Sequence, residues 1–159
     1  MIKCRIIALG DLKEKFLKDA SKEYEKRLSR FCELEIVEIQ PIRLSDKPSR
    51  SEIENALKNE AEQIRKRIPK NSKVISLCVE GKSLSSEEFA DEIQNISDLG
   101  KGLCFIIGSS YGISSEIKKE SDLRLSLSEM TFPHKLFRIM LLEQIYRGFM
   151  INAGSTYHK

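Results

Sequence analysis

Two histidines, His134 and His158, are the side chains of this 159-residue chain that change charge near neutral pH. Neither stands at metal-ligand spacing from a second ligand, so no zinc or iron centre is expected. Four cysteines, Cys4, Cys32, Cys78 and Cys104, form no C-x-x-C pair, and three lie in apolar strand-like runs, which reads as reduced core residues. The backbone offers more. In Gly108-Ser109-Ser110-Tyr111-Gly112 the two glycines would let the chain approach a ligand closely or take positive φ; on spacing alone, shaping a strand-to-helix turn is the simpler reading. Ser128-Glu129-Met130-Thr131-Phe132-Pro133 sets hydroxyls and backbone donors ahead of a long helix, with Thr131 as its cap and Pro133 in its first turn. No G-x-G-x-x-G follows the first strand, which argues against a dinucleotide site, and there is no P-loop and no G-x-S-x-G elbow.

The elements that must position these loops follow from periodicity. Ile2 to Leu9 is a β-branched run closed by Gly10, suited to a buried strand. A helix follows, with Leu12, Phe16, Ala20, Tyr24, Leu28 and Phe31 on one face and a basic remainder. Leu34 to Ile39 is a second strand, and Gln40 to Ser49 a proline-bearing loop. Ser51 with Glu54 forms a capping box for a helix that Pro69 ends; Lys73 to Val79 is a third strand stopped at Gly81; and Ser85 with Glu88 caps another helix, running out at Gly100 and Gly102. Leu103 to Ile107, a helical turn at Ser115 to Glu120, Leu123 to Leu127 and a long apolar helix from Pro133 complete the chain. That last helix has more apolar surface than a small monomer needs, so part of it is expected to face a partner subunit. Five strands alternating with helices predict one α/β domain over residues 1–159, with a parallel-type sheet flanked by helices. In such sheets ligands sit beyond the carboxyl ends of the strands, here the loops Leu77 to Gly81, Gly108 to Gly112 and Leu127 to Pro133.

Composition limits the function classes. No apolar run reaches the length of a membrane span and no secretory signal opens the chain, so a cytoplasmic protein is expected. The 27 Lys and Arg against 24 Asp and Glu give +3, which permits nucleic-acid binding without arguing for it.

The residues become specific in the runs Phe105-Ile106-Ile107-Gly108, Leu125-Ser126-Leu127-Ser128, Met130-Thr131-Phe132-Pro133-His134, Glu143-Gln144-Ile145-Tyr146-Arg147 and Tyr157-His158-Lys159. Together they resemble the ribosomal RNA large subunit methyltransferase H family of the SPOUT superfamily, over essentially the whole chain. The resemblance implies a homodimeric SPOUT fold with a C-terminal trefoil knot. The implied activity is methyl transfer from S-adenosylmethionine to N3 of a pseudouridine in large-subunit (23S) ribosomal RNA, on assembled ribosomes. By position it places cofactor contacts on Leu77, Gly108, Leu127, Ser128, Glu129, Met130, Thr131 and Phe132. The family commonly has a second glycine where this chain has Ser109; if that position needs positive φ, the pocket would be strained.

With a methyl group already activated on sulfur, positioning should dominate. The N3 nitrogen must lose a proton, for which a base or a stabilising cation is needed. The candidates are His158 and Tyr157 in the tail and Arg138 on the last helix, with Arg147 available for phosphate or developing charge, and the tail is expected to reach the partner subunit's active site. His134 is expected to be structural. The competing reading is a non-catalytic ribosome-binding factor with a vestigial pocket, to which only Ser109 points. A flavodoxin-type domain is disfavoured by the single glycine in Gly10-Asp11-Leu12-Lys13.

Overall fold

The computed structural model describes residues 1–159. The elements run β1 (Ile2–Leu9), α1 (Lys15–Leu28), β2 (Cys32–Ile39), α2 (Arg50–Arg65), β3 (Ser72–Ser83), α3 (Ser86–Asp98), β4 (Gly102–Ile107), α4 (Ser115–Glu120), β5 (Leu123–Ser126) and α5 (His134–Asn152). The five strands form one parallel sheet in the order β2-β1-β4-β3-β5.

Strand alternation divides the core in two. Cys4, Ile6 and Ala8 of β1 join Leu103, Phe105 and Ile107 of β4 beneath α1, α3 and α5, in a cluster of 16 buried residues. Ile7 and Leu9 join Cys104 and Ile106 on the opposite face beneath α2 and α4, in a cluster of nine. Because both faces are covered, β1 and β4 read as unbroken apolar runs. On the larger face α5 lies between α1 and α3. Gly148 lets it approach α3, since a Cβ there would come 2.7 Å from Ile93 Cδ1, while Tyr146 and Phe149 stack against Tyr24 and Phe31 on the other flank.

Several sequence expectations need correction. The helix expected from Leu12 starts at Lys15, its buried positions are Leu17, Ser21 and Leu28, and Phe16 is 69% exposed. A stripe spaced strictly by four drifts about 40° per step on a 3.6-residue helix, so its early members rotate out of the core face. The cap of α2 is Ser49, whose hydroxyl accepts from the Glu52 N–H, not Ser51; both serines have a glutamate three residues on, and Pro48 favours the earlier start. The Ser85–Glu88 capping box forms as expected. Thr131 does not cap α5: Pro133 occupies the cap position, and its carbonyl accepts from the Leu136 and Phe137 N–H groups.

The largest departure is at β3. It does not stop at Gly81 but continues to Ser83, and Leu125 of β5 faces both Leu77 and Lys82. The four residues between are thrown out of the ladder, a bulge of the kind found beside functional sites. Gly81 makes the crossing possible: a Cβ would stand 2.8 Å from the Arg124 carbonyl carbon and oxygen.

Candidate active site

The carboxyl ends of β3, β4 and β5 and the start of α5 enclose a cleft of about 430 Å³, within the usual range for small-molecule sites. Each loop singled out in the sequence contributes to it. Leu77 and Cys78 come from the β3 bulge, Gly108 and Ser109 from the turn after β4, and Leu127 and Phe132 from the segment leading to α5. Half of the lining is hydrophobic.

Gly108 is obligatory by close approach, because a Cβ would come 2.4 Å from the Gly112 carbonyl oxygen. Gly112 has φ +84 and its N–H donates to the Ser109 carbonyl at 2.9 Å, closing the turn. Both glycines therefore shape the turn itself, Gly108 by close approach to Gly112 and Gly112 by positive φ. Ser109 is unstrained, since no residue other than glycine has positive φ. Its hydroxyl points away from the cleft to Glu60 Oε1 at 3.4 Å, while Glu60 Oε2 accepts from the Ile42 N–H at 3.1 Å. Glu60 is 4% exposed, and burial pushes its carboxyl above the ordinary range. This carboxylate braces the glycine turn from behind.

Of the eight expected cofactor contacts, Leu77, Gly108, Leu127, Ser128 and Phe132 line the cleft. Glu129, Met130 and Thr131 are exposed at its rim instead. The Ser128 hydroxyl accepts from the Met130 N–H at 2.9 Å and its carbonyl accepts from the Ser126 hydroxyl at 3.0 Å, a local turn that directs the next three side chains outward.

The cleft also holds residues to which the sequence reading gave no individual ligand role. His134 and Phe137, from the first turn of α5, line it, as do Glu80 and Lys118. The Lys118 ammonium against Glu80 holds that carboxyl below its usual range. Burial, and then the cations of Lys135 and Arg138, lower the pKa of His134, so its imidazole is neutral in the cleft at physiological pH. Its place in the T-F-P-H run, at a helix start beside a candidate ligand loop, was the available signal.

The three candidate catalytic side chains stand outside the cleft lining. Arg138 is 5% exposed and donates to Glu38 Oε2 at 2.8 Å and to the Gly10 carbonyl at 2.9 Å, bracing α5 across the ends of β1 and β2. The tail folds back on its own helix. The Tyr157 hydroxyl donates to Glu143 Oε2 at 2.9 Å, the Arg147 guanidinium lies 4.8 Å from the Tyr157 ring centroid, and His158 bridges Arg147 at 3.2 Å and Glu87 at 2.8 Å. Burial, reinforced by the bond to Glu143, raises the Tyr157 pKa, which suits the phenol to donating a hydrogen bond rather than taking up a proton. No group of three or more His, Cys, Asp or Glu side chains is arranged to hold a metal ion, and no helix is long and apolar enough to cross a membrane.

The cleft has the size and the half-apolar lining of a small-molecule site, and comparison with other proteins gives it a family. A family model described as a predicted SPOUT methyltransferase matches residues 2–158. Ribosomal RNA large subunit methyltransferase H of Clostridium kluyveri is 52% identical over 155 residues, covering 97% of this chain and 98% of the relative. The protein of the same name from Streptococcus suis is 45% identical over 159 residues, covering 99% and 100%. Among solved structures, a chain from Neisseria gonorrhoeae assigned to a methylase family superimposes with TM-score 0.55 at 10% identity, over 91% of this chain and 82% of that one; this likeness speaks to the fold alone. The chain belongs to the SPOUT methyltransferase family.

Proposed function

We propose that this protein transfers a methyl group from S-adenosylmethionine to N3 of a pseudouridine in 23S ribosomal RNA, acting as a cytoplasmic homodimer on assembled ribosomes. The observation that carries the reading is the cleft at the ends of β3, β4 and β5, with its Gly108 cradle and half-apolar wall, in a chain 52% identical to a ribosomal RNA large subunit methyltransferase H. The residues present fit the cofactor. Leu77, Leu127 and Phe132 offer the apolar slot an adenine needs, beside the tight turn that Gly108 and Gly112 form. When bound, the cofactor supplies a methyl group on a positively charged sulfur, so no metal is required.

The chain's own residues orient and shield. The β3 bulge and Phe132 exclude water from the reacting atoms, and Arg138 positions the first turn of α5, which carries His134 and Phe137 into the cleft. Removal of the N3 proton falls to the tail, His158 as acceptor with Tyr157 as hydrogen-bond donor, delivered to the cleft of the partner subunit. One feature supports this arrangement: Tyr157 and His158 lie outside the lining of their own cleft. The absence of an RRM-type aromatic signature supports recognition of a preformed ribosomal surface.

Calorimetric titration with S-adenosylmethionine, alongside methyl transfer to ribosomes lacking the modification, tests the reading. One cofactor per chain and transfer to ribosomes are expected. A chain ended after Thr156 should bind cofactor normally and lose transfer; unchanged transfer would remove the tail from the chemistry, and ribosome binding without cofactor binding would replace the enzyme with a non-catalytic factor.

A further inference from the structure

Beside the cleft lies a second groove, of about 410 Å³, at the β3–β5 edge of the sheet. It shares Glu80 and Lys118 with the cleft, so the two adjoin at that ion pair. Lys82 from the far side of the β3 bulge, Lys119 from α4 and Arg124 from β5 converge on it. All three are exposed. None is in an ion pair. The two acids of the groove are already occupied: Glu80 holds Lys118, and Asp122 accepts from the Val74 N–H at 2.8 Å with Lys73 Nζ at 3.8 Å. Two stretches distant in sequence, at Lys82 and at Lys119 to Arg124, thus present cations outside any ion pair around one groove beside the cleft.

We propose that this groove binds the sugar-phosphate backbone of the substrate RNA strand beside the nucleotide that enters the cleft; the inference rests on the function proposed above and adds the side from which the strand approaches. Phosphate contacts of this kind fix register and orientation without reading sequence. A charged strand edge also blunts edge-to-edge pairing. That need is met by charges on β5 alone, whereas Lys119 comes from a helix and Lys82 from beyond the bulge. The basic surface of α1 is a contrasting case: two of its cations are matched within the helix, Lys15 to Asp19 at 2.5 Å and Arg27 to Glu23 at 3.0 Å, and none of its residues lines the cleft.

The test is the salt dependence of binding to ribosomes lacking the modification, for the wild type, K82A/K119A/R124A and the α1 control K22A/K26A, between ~50 and ~200 mM KCl. The triple variant is expected to flatten the slope of log Kobs against log salt by about three units and to weaken binding about tenfold or more, with calorimetric cofactor binding unchanged. The control should keep the wild-type slope. An unchanged slope in the triple variant, or an equal loss in the control, would overturn the groove. Failure of the wild type to bind cofactor or transfer methyl would overturn the proposed function instead, and the binding slopes would still judge the groove.

Discussion

The two ends of the sheet's carboxyl edge have opposite fates. At β1 and β2 the edge is filled: Gly10 turns the chain with φ +111, its carbonyl takes one arm of Arg138, Glu38 takes the other, and the His134 ring and Pro41 close over the glycine at 3.8 and 3.9 Å from where a Cβ would stand. At β3, β4 and β5 the edge is open, and two glycines hold the backbone back from the space rather than filling it. In a flavodoxin-type domain the end of the first strand is a ligand site. Here a buried guanidinium occupies it, and the only ligand-sized opening on this edge falls on the later strands. The same α/β sheet can therefore place its crevice at either end, according to which strand ends are plugged by side chains.

The most severe way to break this contrast is to fill the open end. Gly108→Val should abolish measurable cofactor binding, about 100-fold or more by calorimetry, while circular dichroism shows the fold retained, because the clash at 2.4 Å is confined to the turn. Unplugging the closed end should act on stability instead. Arg138→Met leaves Glu38 without its partner, but that side chain is 44% exposed and regains water; the expected cost is about 2 kcal/mol, a Tm lower by roughly 4–8 °C, with a smaller change in cofactor affinity. Normal stability in this variant would show that the plug is ornamental. The smallest effect concerns the brace behind the open end. The Glu60 carboxyl is raised in the folded state, so the unfolded chain releases that proton first. Stability is therefore lost as pH rises from the unfolded pKa of this group to its folded one. Glu60→Gln should remove this loss, so that its melting temperature gains on the wild type from acid to neutral pH, and parallel curves would show that the carboxyl titrates normally.

How much of this was legible in the sequence depends on the range of the interaction. The five strands and their helices were, because alternation in two and in three to four are local signals; so were the three loops, because they follow from the alternation. The N-cap of α2 was missed by two residues where Ser49 and Ser51 carry the same motif. The role of Arg138 was not legible, because its partner Glu38 is 100 positions away and an isolated arginine on a helix reads as readily for phosphate as for a brace. Gly81 was taken for a strand end when it marks a crossing, since a glycine that makes room for another backbone looks in sequence like one that ends a strand. Lys118 reaches the cleft through the packing of α4, which no local pattern encodes, whereas His134 was signalled only by its place at a helix start beside a ligand loop. That the side chains of Glu129, Met130 and Thr131 stand at the rim was not legible, because adjacency in a motif does not tell which side of a turn successive side chains take.

The position of α5 has a consequence for the birth of the molecule. The helix that lies at the middle of the larger core is the last element in the chain. As the polypeptide leaves a ribosome, β1 through β4 emerge with the apolar floor for Leu141, Leu142 and Ile145 uncovered. That face cannot be covered until α5 has left the exit tunnel. Folding should therefore wait for contacts between elements far apart in sequence, and nascent chains lacking α5 should be held by chaperones rather than accumulate as a stable amino-terminal half.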